Sequence, residues 1–206
     1  MARSATPSPE PRSPGRPREF DVEQVLDKAI GTFSENGYSA TSLGKLTAAM
    51  EIAEGSLYKA FRDKHGVFLA AFERYVMLRS ERLAQELANT RTGRDKVRAL
   101  LTVYAESSHG KSGRRGCLVV GSAVDLASSD PEIAKRVAAV LASQEKRLVE
   151  FVRDGQEDGS VSVRVDAAVT ARLLLCVVQG MRVLGKTGRS HVEMASLVDG
   201  ALKLLD

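Results

Sequence analysis

The chain has 206 residues, enough for one large domain or two small ones with apolar cores. Hydrophobic residues make up 43% and charged residues 27%, as in an ordinary globular protein, and we see no apolar stretch that approaches the roughly 20 residues of a membrane span. The N-terminus lacks the apolar core of a signal peptide, and two cysteines are too few for a disulfide framework. We therefore expect a cytoplasmic protein without a membrane partner.

Most of the net charge of +4 lies at the N-terminus, where residues 1–18 contain four arginines and one glutamate. The same segment holds five of the six prolines, interleaved with serine. Such a composition cannot bury apolar surface, so we predict a disordered basic arm that favours polyanions.

From Phe20 onward the apolar residues recur with helical spacing. A first helix carries an apolar stripe from Val25 to Phe33 and ends near Asn36-Gly37. Thr41 is the predicted N-cap of a short second helix, and Asp63 caps a longer helix after a polar stretch.

Further helices are predicted at about 94–108, after Gly113, from Asp130-Pro131, and at about 166–186 and 191–205. The segment "SVSVRV" (160–165) is the one candidate strand, and it is short. The pattern indicates an all-α protein with about nine helices.

The region 20–61 contains a short helix, a tight turn and a second short helix, which is the layout of a helix-turn-helix. The second helix lies in "EIAEGSLYKAF", where few residues are apolar. A helix that enters the major groove of DNA needs such an exposed polar face. The alternative is a solvated turn in a helical bundle; the adjacent basic arm favours DNA.

The segment from "FDVEQVLDKAIGTFSENGYSATSLGKL" to "GSLYKAFRDKHGVFLAAFERY" resembles the DNA-binding domain of TetR/AcrR-type transcriptional regulators. The resemblance covers about residues 16–75, and the rest of the chain matches in layout. It implies a three-helix helix-turn-helix domain at 19–65 and a helical ligand-binding and dimerisation domain at 66–206.

The resemblance also implies roles for individual residues. Thr41 and Ser42 open the second helix, where hydroxyls and free backbone N–H groups hold a phosphate, and Lys64 matches a lysine that pairs with a phosphate. Leu57 and Phe61 match core positions. The positions that face bases and backbone are Glu54, Gly55, Ser56, Tyr58 and Lys59.

Two glutamates depart from the family pattern. Glu51 stands in the turn where glycine is usual, and a left-handed backbone there is strained for glutamate. Glu54 faces a polyanion. It either accepts a hydrogen bond from cytosine N4 or repels phosphate and weakens all binding.

The arm contains "GRPR", in which Arg16 and Arg18 suit the narrow minor groove of A·T-rich DNA. The alternative is a solubilising tail without a fixed contact, and the sequence does not separate the two.

A TetR-like chain is expected to bind a small-molecule effector among its later helices. The candidate lining residues are Phe72, Tyr75, Tyr104 and Cys117. Aromatic residues at helical spacing are more often plain core, so this alternative stays open. We predict no metal site and no cofactor, because His65, His109 and His191 are scattered along the sequence.

Cys117 follows Arg114 and Arg115 at a predicted helix N-terminus, where the arginines and the helix dipole lower the pKa of a thiol. That placement favours a redox, electrophile or thiophilic-metal sensor. The alternative is a buried structural cysteine in "CLVV".

The last two helices are apolar beyond the needs of one internal face, and in the last helix Met194, Leu197, Val198, Ala201, Leu202 and Leu205 form a stripe. We predict a homodimer through these helices, as in the family, and a palindromic operator. We find no nucleophile–base pair and no phosphate-binding loop in the sequence that would indicate an enzyme. The sequence therefore predicts a dimeric, ligand-responsive repressor, with thiol-based sensing at Cys117 as the alternative.

Overall fold

The computed structural model describes residues 20–206, which form ten α-helices and a closing 3-10 helix, with no β-strand among them. The first five helices are α1 (Val22–Asn36), α2 (Leu43–Met50), α3 (Glu54–Phe61), α4 (Lys64–Leu87) and α5 (Gly93–Glu106). The others are α6 (Gly110–Arg115), α7 (Leu118–Asp125), α8 (Pro131–Glu157), α9 (Ala167–Gly185), α10 (His191–Leu202) and the 3-10 helix Lys203–Leu205. The all-α prediction is confirmed. The predicted arm at 1–18 lies outside the described residues.

Side-chain caps set most helix starts. Asp21, Asp63 and Asp130 each accept hydrogen bonds from backbone N–H groups in the first turn of α1, α4 and α8. The helix missing from the sequence prediction is α6, whose six residues are too few to carry an apolar period. The candidate strand 160–165 is a turn, in which Val161 is buried.

The first four helices form one end of the molecule. α1 packs against α2 and α4, and α3 packs against α2 and α4. Their shared core includes Phe33, Leu46, Leu57 and Phe68, and it continues into α7 and the start of α8. A second core joins α5, α8, α9 and α10. Because α4 begins at Lys64 and belongs to both parts, the predicted boundary at 65/66 falls in its first turn and remains a prediction.

The structure bears on two expectations about the last helices: that no apolar stretch approaches a membrane span, and that the stripe on α10 forms the dimer interface. The homodimer itself stays a prediction. α9 is long and apolar enough to cross a membrane by length and composition, with a mean hydropathy of 1.6 over 18 of its residues. The same properties suit a bundle helix, and α9 packs against α8 and α5. On α10, the predicted dimer stripe faces the protein's own core, because Met194, Val198, Ala201, Leu202 and Leu205 are buried. Leu197 is the one exposed member.

Candidate nucleic-acid interface and adjoining cavity

A three-residue turn joins α2 to α3. Glu51 caps α2 with a left-handed backbone (φ 56°, ψ 37°), and Ile52 donates its N–H to the Thr47 carbonyl at 3.2 Å. Leu57 is fully buried and anchors α3. The turn is therefore tight at the cost of a conformation that favours glycine, as the sequence predicted for Glu51.

The outer face of α3 is open to solvent. Glu54, Gly55, Tyr58 and Lys59 are exposed, and Ser56 is half-buried. Ala53, the N-cap, has no side chain that caps the helix, so the carboxylate of Glu54 in the first turn is the group that complements the helix dipole. The structure thus adds a third role for Glu54, which is to stabilise the start of α3.

The assignment of Thr41 is wrong on two counts. Ser42 is the N-cap of α2, since its hydroxyl accepts from the Lys45 N–H at 3.1 Å. Thr41 is fully buried, its hydroxyl donates to the Gly37 carbonyl at 2.7 Å, and its N–H donates to Tyr38. Thr41 therefore holds the α1–α2 loop, whereas Ser42 is exposed at the open end of α2.

Lys64 lies at the start of α4, with its Nζ 4.1 Å from the centre of the Tyr38 ring. Tyr38 stacks in turn on Phe33 and meets Phe68 edge-on. Partial burial raises the pKa of Tyr38, and the nearby carboxylates of Asp63 and Asp130 raise it further. Tyr38 is therefore a neutral platform that positions the lysine ammonium.

Two further basic side chains near α2 and α3 were not predicted from the sequence as DNA contacts. Arg62 follows α3 with a positive φ of 71°, and Lys45 lies on the exposed face of α2, where it contacts Asn36. Helical periodicity shows that Lys45 is exposed, but the direction of Arg62 depends on an unusual backbone conformation that the sequence does not signal.

A cavity of about 230 Å³ lies between α4, α5 and α8. Tyr75, Tyr104 and Cys117 line it, as predicted, together with Arg79 and Arg147. The prediction for Phe72 is wrong. Phe72 is buried in the core of the N-terminal helices and does not line the cavity, because its ring packs against Phe68, one turn earlier on α4.

The cavity combines apolar walls with polar groups. Arg79 lies over the Tyr75 ring at 5.1 Å and donates to Ser107. Burial first, and then the nearby Cys117, raises the pKa of Tyr104 to about 12. Both tyrosine pKa values are raised in this way, so both hydroxyls are neutral donors at physiological pH.

Cys117 is the N-cap of α7, as predicted, and it is buried. Tyr75 donates its hydroxyl to the Cys117 sulfur at 3.4 Å. Burial raises the pKa of this thiol, but the charge of Arg182 and the hydrogen bond from Tyr75 outweigh burial, and the net pKa is lowered. The direction matches the sequence prediction.

The cation responsible is not one that the sequence suggested. Arg114 and Arg115 are exposed, and Arg115 pairs with Glu35 at 3.2 Å. Arg182 of α9 is 1% exposed and donates to the Gly116 carbonyl at 2.6 Å and to Ser107 and Ser108. Among residues 20–206 it forms no ion pair with a carboxylate, and its Nε has no partner.

An exposed apolar surface runs along the outside of α9 and α10. Cys176 is exposed on this side of α9. The large members of the surface are Val169, Leu173, Val183, Leu184, Val192 and Leu197, all exposed. A stripe of this extent on two adjacent helices is typical of an interface.

Residues 25–71 match the family model for bacterial regulatory proteins of the TetR family, and residues 93–199 match the model for the tetracyclin repressor-like C-terminal domain. The HTH-type transcriptional repressor ComR of Escherichia coli is 28% identical over 194 residues, which cover 94% of this chain and 92% of that protein.

Among solved structures, a cysteine mutant of the TetR family regulator CifR, complexed with 26-bp operator DNA, has a TM-score of 0.81 at 29% identity. The match covers 91% of this chain and 98% of that one. FadR of Bacillus subtilis in complex with stearoyl-CoA shares the fold, with a TM-score of 0.71 at 17% identity over 90% of this chain and 97% of that one.

Proposed function

The chain belongs to the TetR family of bacterial transcriptional regulators, and from that premise we propose that it is a dimeric repressor released from a palindromic operator by a small-molecule effector. The observation that carries the proposal is the exposed polar face of α3 above the buried Leu57. A helix with one anchored face and one open polar face suits the major groove. Because its proposed partner is chromosomal DNA, we place the protein in the cytoplasm as part of this proposal.

In this proposal Gly55, Ser56, Tyr58 and Lys59 contact bases and backbone from α3. Ser42 at the start of α2 and Lys64 at the start of α4 hold phosphates on either side, where free N–H groups and a positive charge favour an anion. We extend the basic surface to Arg62 and Lys45, which are both exposed. Arg16 and Arg18 remain proposed contacts from the arm.

The proposed dimer interface is the outer face of α9 and α10, where Leu173 and Val183 are about half exposed. Burial of these side chains against a second copy removes apolar area from water. A two-fold axis there sets two α3 helices about one DNA turn apart, some 34–36 Å, and predicts two half-sites with that spacing.

The proposed effector site is the 230 Å³ cavity. Its apolar walls, with Arg79 and Arg147 among the polar lining groups, favour a small apolar molecule that carries an anionic or strongly polar group. α4 carries both Lys64, on the DNA side, and Tyr75, on the cavity wall. A ligand that displaces Tyr75 therefore moves the helix that positions the DNA-binding surface.

A second candidate is sensing through the Cys117 thiolate. It is favoured by Arg182, a buried cation with no carboxylate partner among residues 20–206, next to a thiol whose pKa is lowered. An electrophile or oxidant that modifies Cys117 consumes the thiolate form that the charge of Arg182 favours. The two candidates share one cavity, and a Cys117→Ser variant separates them, because only thiol sensing requires the sulfur.

Gel shifts on the DNA that flanks its own gene, over a range of salt concentrations, test the function. Lys59→Ala is expected to weaken binding and to reduce the slope of log affinity against log salt by about 1.8, because a dimer loses two phosphate contacts, one from each copy. Lys135→Ala removes an equal charge from the exposed face of α8 and should change neither. If no duplex fragment binds more tightly than bulk competitor DNA, the proposed function fails.

A further inference from the structure

Two histidines and a glutamate that are far apart in the sequence converge at one corner of the fold. The Nε2 atom of His109 lies 3.1 Å from one carboxylate oxygen of Glu106, and the Nε2 of His191 lies 2.9 Å from the other. The ligand atoms of the three residues all lie within 4.8 Å of one another. The two imidazole rings meet edge-on with centroids 5.0 Å apart.

The corner is built by three helix ends. Glu106 is the last residue of α5, His109 is the N-cap of α6, and His191 is the first residue of α10. α10 packs along α5, and Arg182 binds Ser107 and Ser108 between the first two residues. The backbone that carries Glu106 and His109 is therefore held from the inside, independently of the cluster.

From this geometry we propose that Glu106, His109 and His191 form a binding site for a divalent transition-metal ion of the Zn²⁺ type. Two imidazole nitrogens and a carboxylate oxygen are a ligand set that zinc accepts, at 2.0–2.2 Å from the ion. Ligands around a tetrahedral ion at that distance lie about 3.3 Å apart. The Nε2–O separations of 2.9 and 3.1 Å, each to a different oxygen of the carboxylate, are close to that spacing.

The cluster is open enough for an ion to enter. The side chains of Glu106, His109 and His191 are 48%, 28% and 58% exposed. Three protein ligands leave the fourth position of a tetrahedral ion to water, as in zinc sites that are not closed. Placed there, the ion adds a link between the α5–α6 corner and α10, in addition to the packing of α10 along α5 and the Arg98–Asp199 ion pair.

The third histidine shows what an ordinary histidine–carboxylate pair looks like in this fold. His65 contacts Asp130 at 2.8 Å, and Asp130 also caps α8. That pair has one imidazole, and its carboxylate is already used by backbone N–H groups. His65 is therefore a matched control for the cluster at Glu106, where two imidazoles share one carboxylate.

The experiment titrates the full chain, freed of metal by a chelator, with Co²⁺, and then displaces the Co²⁺ with Zn²⁺. We expect one ion per chain, visible absorption of four-coordinate Co²⁺, no near-ultraviolet thiolate-to-cobalt band, and a rise in melting temperature with Zn²⁺. A thiolate band, lost in a Cys176→Ser variant, would assign the ion to cysteine and overturn the proposal.

Single variants His109→Gln and His191→Gln are expected to weaken Zn²⁺ binding by about tenfold or more, since even outer-shell changes cost about 10–100-fold. His65→Gln should leave it unchanged. Equal affinity in all three variants would also overturn the site. Circular dichroism checks that each variant is folded. Because DNA is absent from these measurements, their failure leaves the proposed operator binding intact.

Discussion

The guanidinium of Arg182 donates a hydrogen bond of 2.6 Å to the carbonyl oxygen of Gly116, the residue that precedes Cys117. This contact joins α9 to the connection between α6 and α7. The same side chain binds Ser107 and Ser108 at the end of α5. One buried cation therefore connects α9, whose outer face we propose for dimerisation, to the wall of the proposed effector cavity.

Replacement of Arg182 by methionine is expected to lower the free energy of unfolding by roughly 1 to 3 kcal/mol, because buried acceptors at Gly116 and Ser107 lose their donor. Urea unfolding measures the change. Arg172→Met is the control, since Arg172 lies on the same helix but is exposed and pairs with Glu145 at the surface. A stability of Arg182→Met equal to that of the control would show that the buried guanidinium does not hold the junction.

The lowered pKa of Cys117 predicts alkylation at unusually low pH. In a Cys176→Ser background, the rate with iodoacetamide should rise with pH to a midpoint below about 8.5, the ordinary value for cysteine. Because the folded-state pKa is depressed, the stabilisation is complete above the unfolded-state pKa and is lost as pH falls through the folded-state value. In Arg182→Met the midpoint should move upward; an unmoved midpoint would exclude Arg182 as the cause.

Glu54→Ala separates the roles of that carboxylate. A changed base preference at one operator position indicates that Glu54 reads cytosine, whereas uniformly tighter binding indicates repulsion of phosphate. A loss of stability of about 0.3–1 kcal/mol with unchanged preference indicates that Glu54 mainly supports the start of α3. Selection from a randomised operator library and thermal unfolding measure these outcomes, with Glu81→Ala, at an exposed position of α4, as the control for charge alone.

The left-handed Glu51 predicts that Glu51→Gly is more stable than Glu51→Ala by about 1 kcal/mol. Both variants lose the ion pair with Lys28 at 2.8 Å, so the comparison cancels that contact. The greater freedom of glycine in the unfolded chain offsets part of the gain. Equal urea midpoints for the two variants would indicate that the turn is not strained.

Leu173→Asp and Val183→Asp are expected to convert the proposed dimer to monomers, because each places a carboxylate in an apolar interface. Sedimentation velocity measures the mass. Val163→Asp changes an exposed apolar residue outside α9 and α10 and should leave the dimer intact. If all three proteins keep the same mass as the parent chain, the interface lies elsewhere or the chain is a monomer.

The sequence by itself determined most helix positions. Asp63 and Asp130 begin helices in the structure as predicted, and the periodic residues Val25, Ala29 and Phe33 are buried. These features depend on neighbours within one or two turns, so they can be recognised without the rest of the fold. The left-handed Glu51 belongs with them, because the strain arises within one turn.

Only the tertiary structure decided which side of a helix meets which partner. Phe72 and Tyr75 are three residues apart and belong to the same core, yet only Tyr75 also lines the cavity. Arg182 reaches the residue before Cys117 across 66 positions of sequence, and His191 reaches Glu106 across 85. Such long-range contacts depend on the packing of whole helices against one another, so the local spacing of residues does not predict them.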